Sequence, residues 1–124
     1  MKIQIITNNP LVREKLGEQY PVHFERRSYR QVLVAVRDLI HQGYQLYSHP
    51  LSGSVKPNET PYKSVFLSEK PGKLDLDAVR IIENSIITCD KFAVKFPDPP
   101  EDMDRDFQLL DLTLLQGALT QITT

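Results

Sequence analysis

A polar stretch from Ser48 to Ser64, with the sequence SHPLSGSVKPNETPYKS, carries most of the side chains that could bind a ligand. Its hydroxyl, amide and ammonium groups belong to Ser52, Ser54, Lys56, Asn58, Thr60 and Lys63. Such groups bind phosphate or carboxylate through charge-assisted hydrogen bonds, and Gly53 allows the backbone to approach a ligand closely. Long ordered loops in compact domains are commonly binding sites or lids. We therefore expect this loop to bind a small anion or a segment of a partner.

The alternative for this loop is purely structural. Prolines at positions 50, 57 and 61 stiffen it, and its polar side chains could satisfy its own backbone through turns. The loop is not a Walker motif, because no Gly-Lys-Ser/Thr opens a helix here. Both interpretations stay open from the sequence.

The segment Thr7-Asn8-Asn9-Pro10 offers a second candidate site. Asn9 can cap a helix through its side-chain oxygen, and Pro10 suits the first helical position. Free amides at a helix N-terminus bind anions, so Asn8 and Asn9 could lie beside the long loop and contact the same ligand. A capping turn without a ligand is the favoured interpretation, because nucleotide-binding versions of this turn normally need glycine.

His49 precedes Pro50 at the predicted end of a strand, where it could act as a general base or contact a ligand. His41, in the last turn of a helix, and His23, on a strand, have simpler structural explanations. The spacing of the histidines predicts no metal site, and we identify no cofactor motif. Cys89 has no cationic neighbour in sequence and is expected to be a buried, inert thiol.

The composition is that of an ordinary globular chain of 124 residues, 40% hydrophobic and 25% charged, with a formal net charge of -1. This predicts a single α/β domain over residues 1–124 and argues against nucleic acid as a partner. Arginines form one basic cluster, at positions 26, 27, 30 and 37. We expect Arg26, Arg27, Arg30 and Arg37 to pair with acidic groups within the chain. The lone cysteine and the lack of a long apolar run predict a cytoplasmic protein with no membrane partner.

Alternating strands and helices must position these groups. The hydrophobic pattern predicts strands at residues 2–7, 22–26, 44–48, 63–68 and 92–96. It predicts helices at residues 10–19, 29–42 and 74–91, and a fourth beyond residue 101. The apolar stripe of the fourth helix is expected to comprise Phe107, Leu110, Leu114, Ala118 and Leu119.

This alternation favours an α/β three-layer sandwich with a mainly parallel sheet of about four to five strands and four helices, because parallel neighbours need long crossovers. Ligands in such folds bind at the carboxyl ends of the strands. Two candidate loops leave strands at that edge, at Thr7 to Pro10 and at Ser48-His49.

Five segments carry a resemblance to a known family: IITNNPLV at 5–12, VRDLIHQG at 36–43, HPLSGSVKPNETPYKS at 49–64, IIENSI at 81–86 and EDMDRDFQLLDLTLL at 101–115. They resemble the GrdX family over nearly the whole chain, and the long loop is the most specific of them. Members of that family are small accessory products of the glycine, sarcosine and betaine reductase operons. The resemblance implies an accessory role, and it carries over no catalytic residue.

We therefore expect a ligand-sensing or assembly protein of a glycine, sarcosine or betaine reductase system, whose loop at 48–64 binds a small anion or a reductase subunit. The alternative is a small enzyme acting on a phosphorylated or carboxylate metabolite, with His49 as base and the loop lysines stabilising negative charge. A third interpretation is a homo-dimer that buries the stripe of the C-terminal helix. An enzyme should hold His49 in a concave pocket, whereas a docking protein should present a flatter, partly apolar surface.

Overall fold

A computed structural model of the chain describes residues 2–51 and 56–123. Along the chain the elements are β1 (Ile3–Thr7), α1 (Pro10–Leu16), β2 (Val22–Phe24), α2 (Tyr29–His41), β3 (Ser64–Ser68), α3 (Leu76–Cys89) and α4 (Glu101–Thr123). All four predicted helices are thus present. Three residues of the predicted site, Ser52, Gly53 and Ser54, lie outside the described residues.

The first three helices begin where the sequence supplies capping side chains. Asn9 caps α1, and Asp75 caps α3. Ser28 caps α2 in a reciprocal pair with Gln31, so that each side chain bonds the other residue's backbone amide. These contacts satisfy amide groups that have no partner within the first helical turn. The predicted caps are therefore confirmed.

The sheet is mixed and has three strands in the order β2-β1-β3. β1 pairs parallel to β2 and antiparallel to β3. The expected mainly parallel sheet of four to five strands is therefore not confirmed. The reason lies between α2 and β3, where residues 42–63 add a long connection after the helix. This extra length lets the chain turn back and enter β3 in the opposite direction.

Two of the predicted strands do not form regular strands in the described structure. Residues 44–48 lie along β3, where Tyr47 N donates to Phe66 O at 3.1 Å. They form only an isolated bridge, between Leu46 and Leu67. Residues 92–96 belong to no strand of the sheet. Phe96 packs instead against Phe107 of α4, with ring centroids 5.4 Å apart.

Helices cover both faces of the sheet. α2 and α3 pack on one face in a cluster that includes Ile6 and Leu67. α1 and α4 pack on the other face with Ile3, Ile5 and Phe66. Neighbouring side chains along a strand point to opposite faces, which explains why the apolar run of β1 contributes to both clusters. The chain thus has three layers.

α4 buries only part of the stripe that its sequence predicts, since Leu119 is buried and Ala118 packs against the core. The fully packed leucines are Leu112, Leu115 and Leu119. Leu110 and Leu114, which belong to the predicted stripe, remain 37% and 36% exposed. The inward position between these residues is taken by Asp111, which is buried. Of the helices described, none is both long enough and apolar enough to cross a membrane.

Candidate functional site

Asp111 lies at the centre of a buried polar network between α4 and the sheet. It accepts hydrogen bonds from Asn9 Nδ2 at 3.0 Å and from Ser64 Oγ at 2.7 Å. Because the Ser64 hydroxyl donates to Asp111, it accepts from Thr7 Oγ1, which lies 2.7 Å away. The network joins β1, β3 and α4, which are far apart in the sequence. Such satisfied buried networks fix one arrangement of the elements around them.

Lys63 lies beside this network, and both Lys63 and Asp111 are buried. Burial raises the pKa of Asp111, while the hydrogen bonds from Asn9 and Ser64 and the charge of Lys63 lower it. Burial lowers the pKa of Lys63, and the carboxylate of Asp111 acts in the opposite direction. Burial therefore disfavours the charged form of both side chains, and the opposite charge of the other side chain stabilises it.

Two small clefts flank Lys63 and Asp111, and both are also lined by Leu114. The first is completed by Tyr29, Thr60, Tyr62 and Leu110. The second is completed by Ser48, Ser64, Phe66, Leu115 and Ala118. Each has a volume of about 20 Å³, which is room for about one water molecule. The clefts could therefore receive the tip of a side chain, but they do not enclose a metabolite.

Tyr62 connects the long loop to α4 at the first cleft. Its hydroxyl donates to Asp104 Oδ1 at 2.5 Å and accepts from Gln108 Nε2 at 3.3 Å. Burial, with the hydrogen bond to Asp104 as the next cause, raises the pKa of Tyr62 to about 12. The phenol is therefore protonated at neutral pH and holds the loop against the helix.

Asn58 and Thr60 of the predicted site are buried and bond to nearby backbone. Asn58 Nδ2 donates to the carbonyl oxygens of Cys89, at 3.1 Å, and Phe92, at 2.7 Å. This contact closes the C-terminal end of α3. Thr60 Oγ1 accepts from Tyr62 N at 3.3 Å. The Thr60 contact is of the kind that the structural interpretation of the loop expects, whereas Asn58 bonds backbone outside the loop.

Asn8 and Asn9 are also buried and join separate parts of the chain. Asn8 Nδ2 donates to the carbonyl oxygens of Arg27, at 2.9 Å, and Pro61, at 2.8 Å. Asn8 Oδ1 accepts from Lys63 N at 2.8 Å. The side-chain amide of Asn9 donates to Gln108 O and Asp111 Oδ2 of α4. The structure thus brings Asn8 to the backbone of Lys63 and Asn9 to Asp111, through contacts within the chain.

His49 and Lys56 are exposed. His49 Nδ1 accepts a hydrogen bond from Leu51 N at 3.1 Å. His49 lines neither of the two clefts beside Lys63. The described part of the predicted site is therefore divided between a buried group around Lys63 and two exposed side chains.

Sequence reasoning did not identify Asp111 or Ser64 as members of the site. The available signal was an aspartate within the leucine-rich segment Leu109 to Leu112, where a buried acid needs hydrogen-bond partners. Its partners Asn9 and Ser64 are 102 and 47 positions away. Such pairings are not visible in a single sequence.

Three arginines of the basic cluster, Arg27, Arg30 and Arg37, pair with acids within the chain, whereas Arg26 forms no ion pair with a described residue. Arg30 Nε lies 2.7 Å from Asp90 Oδ1, and Arg27 Nη2 lies 2.9 Å from Glu25 Oε2. Cys89 is fully buried, and burial raises the pKa of its thiol. This agrees with an inert cysteine.

Comparisons with known proteins give one match. A family model described as GrdX-like protein matches residues 4–120. The matched range includes the long loop, Lys63 and α4 up to Thr120. No curated protein and no solved structure matches the chain.

Proposed function

The chain belongs to the GrdX-like protein family, and we propose that it is an accessory protein of a glycine reductase-type system that docks a segment of a reductase subunit. The family match supports the association with that system. The observation that carries the docking site is on α4, where Leu110 and Leu114 stay partly exposed beside the two clefts. We call this region, formed by Leu110, Leu114 and the described loop residues 56–63, the cleft surface.

The size and lining of the clefts favour a partner segment over a metabolite. Ordinary ligand pockets measure roughly 300–1,000 Å³, whereas each cleft here has about 20 Å³. Protein interfaces have an apolar centre and a polar, solvent-accessible rim, and the exposed side chains of Leu110 and Leu114 would form such a centre. Lys56 is the exposed lysine of the described loop and would contact an acidic side chain or terminal carboxylate of the segment.

The enzyme alternative has less support. It assigns the base to His49, but the Nδ1 of this side chain already accepts the amide hydrogen of Leu51. His49 is also exposed and lines neither cleft. A general base must lie within hydrogen-bond reach of the proton that it removes, in a site that holds the substrate. The docking function therefore remains our proposal.

Binding of purified reductase subunits to three single variants tests the proposal. Leu110→Ser and Leu114→Ser should each weaken binding about tenfold or more, as expected if these leucines are among the few central residues that carry most of the binding energy. Leu109→Ser is the matched control, because Leu109 is 55% exposed and lines neither cleft. Its affinity should not change.

Equal loss of affinity in all three variants would contradict the proposed surface, and so would unchanged affinity in all three. Sedimentation of the chain alone provides a second comparison. If Leu110→Ser converts a homo-dimer to a monomer while Leu109→Ser does not, the surface binds a second copy of the chain and the docking proposal is wrong.

A further inference from the structure

The outer side of α3 carries two large apolar side chains that face solvent in the described structure. Leu76 is 72% exposed and Ile87 is 57% exposed. Their separation along the sequence corresponds to about three turns of an α-helix, so both point to the same side. The core-facing residues of α3 lie on the other side of the helix: Ala78, Ile82, Ser85, Ile86 and Cys89.

Two opposite charges lie between these apolar residues on the same side of the helix. Arg80 lies one turn after Leu76, and Glu83 lies one turn before the second apolar residue. Within the chain, Arg80 pairs with Asp77, and Glu83 Oε1 lies 3.5 Å from His41 Nε2. Both pairs are exposed, where ion pairs contribute little, so the two charges are available to a partner. We call this row of four residues the α3 stripe: Leu76, Arg80, Glu83 and Ile87.

The α3 stripe is complementary to itself when two copies of the helix lie antiparallel. One such register places Leu76 of each copy opposite Ile87 of the other. These two residues are equally far from the midpoint between positions 81 and 82, and so are Arg80 and Glu83. The same register therefore places Arg80 opposite Glu83 of the second copy, and two-fold symmetry repeats each contact. Apolar groups then meet apolar groups, and each guanidinium meets a carboxylate.

The flanks of this antiparallel pair add no opposing like charges. On one flank Asp77 lies nearest to Asn84 of the second copy, and on the other flank Val79 lies nearest to Ile86. The stripe itself carries one positive and one negative charge, so it does not favour an acidic or a basic partner as a class. A second copy supplies the matching order of apolar and charged groups by symmetry.

We propose that the α3 stripe binds a second copy of the chain as an antiparallel helix pair with two-fold symmetry. The apolar ends of the stripe supply the burial, and the central charges fix the register, as polar residues do in the seam of a coiled coil. α3 and α4 lie on opposite faces of the sheet. The dimer therefore leaves the cleft surface of each copy free, and it presents two of them.

Sedimentation equilibrium of the full chain tests the pairing. We expect a monomer–dimer equilibrium over concentrations up to about 1 mM, a range that detects a Kd as weak as about 1 mM. Leu76→Ser and Ile87→Ser should each weaken association about tenfold or more. Leu109→Ser is the matched control, at a leucine of α4 that is 55% exposed, and should leave association unchanged. A chain that stays monomeric over this range, or equal weakening by all three variants, would overturn the proposal.

Reversing the central charges tests the register. Arg80→Glu places acids opposite acids, and Glu83→Arg places bases opposite bases, so each should weaken association about tenfold or more. The double variant exchanges the two charges and restores their complementarity, so it should associate within about threefold of the wild type. Both side chains are exposed, and far-ultraviolet circular dichroism checks that each variant keeps its helices. A double variant that associates no more tightly than the single variants would contradict the register.

The dimer is independent of the docking proposal. Leu110→Ser should leave self-association intact, and the variants of the α3 stripe should keep the subunit affinity that Leu110→Ser lowers. Self-association that Leu110→Ser abolishes and Arg80→Glu leaves intact would place the second copy at the cleft surface, and the pairing through α3 would then be wrong.

Discussion

Replacing Asn9 by alanine should destabilise the protein by about 2–4 kcal/mol. Asn9 is fully buried, and its side chain makes three hydrogen bonds. Its Oδ1 accepts from Leu11 N at 3.0 Å, and its Nδ2 donates to Gln108 O at 2.9 Å and to Asp111 Oδ2 at 3.0 Å. Loss of an N-cap costs about 1 kcal/mol, and loss of a hydrogen bond to a charged group costs about 1.5–3 kcal/mol, although Asp111 keeps its hydrogen bond from Ser64 Oγ.

A second substitution separates the two contributions. Asn9→Ser keeps a capping oxygen but loses the amide donor, so it should cost about 1 kcal/mol less than Asn9→Ala. The matched control is Asn84→Ala, at an exposed position of α3, which should change stability by no more than about 0.5 kcal/mol. Urea unfolding followed by far-ultraviolet circular dichroism measures all three, since the chain has no tryptophan.

The unfolding midpoint of Asn9→Ala should fall while the slope with urea concentration stays unchanged. If the loss is only about 1 kcal/mol, the cap alone accounts for it. The amide of Asn9 would then contribute nothing to holding α4 on the sheet, and the described role of the buried network would be refuted.

Two further outcomes follow from backbone geometry and from titration. Gly43 has a φ of 101°, and an added Cβ would lie 2.2 Å from Gly72 O, so Gly43→Ala should cost about 2 kcal/mol or more in urea unfolding. Gly72→Ala, where the nearest atom is 3.9 Å away, should cost far less, and equal costs would contradict the close approach. The stabilisation linked to the raised pKa of Tyr62 is complete below its ordinary pKa of 10.0 and is lost as pH rises toward about 12. Between pH 10 and 12 the wild type should therefore lose more stability than Tyr62→Phe, and parallel losses would show that the phenol is not perturbed.

Much of the local structure could be predicted from the sequence because its causes are local. Asn9, Ser28 and Asp75 cap helices through amides only two or three positions away. The apolar run of β1 likewise indicates a strand that is covered on both faces. Such signals lie within a few residues, so a single sequence contains them.

The direction of β3 could not be predicted in the same way. It depends on pairs such as Thr7 with Ser64, which only the folded chain brings together. The expectation of parallel strands rested on the alternation of strands and helices along the chain. In the described part of the chain, no helix lies between residues 44–48 and β3, so the chain can reverse direction there without a helical crossover.

The candidate site shows the same limit. The side-chain amides of Asn8 and Asn58 predicted that these residues would form hydrogen bonds. They did not indicate whether the partner would be a ligand or a distant carbonyl group. In the structure Asn58 bonds Cys89 and Phe92, and Asn8 bonds Arg27 and Pro61. Composition therefore indicated which side chains would form hydrogen bonds, while the partner of each side chain required the fold.

Hydrogen–deuterium exchange of the full chain, with and without each purified reductase subunit, tests the proposed docking most directly. We expect one subunit to slow exchange in residues 56–63 and in α4 around Leu110 and Leu114, with no change at the exposed residues Leu76 and Asp77 of α3. Protection elsewhere on the chain, or no protection by any subunit, would contradict docking at the cleft surface.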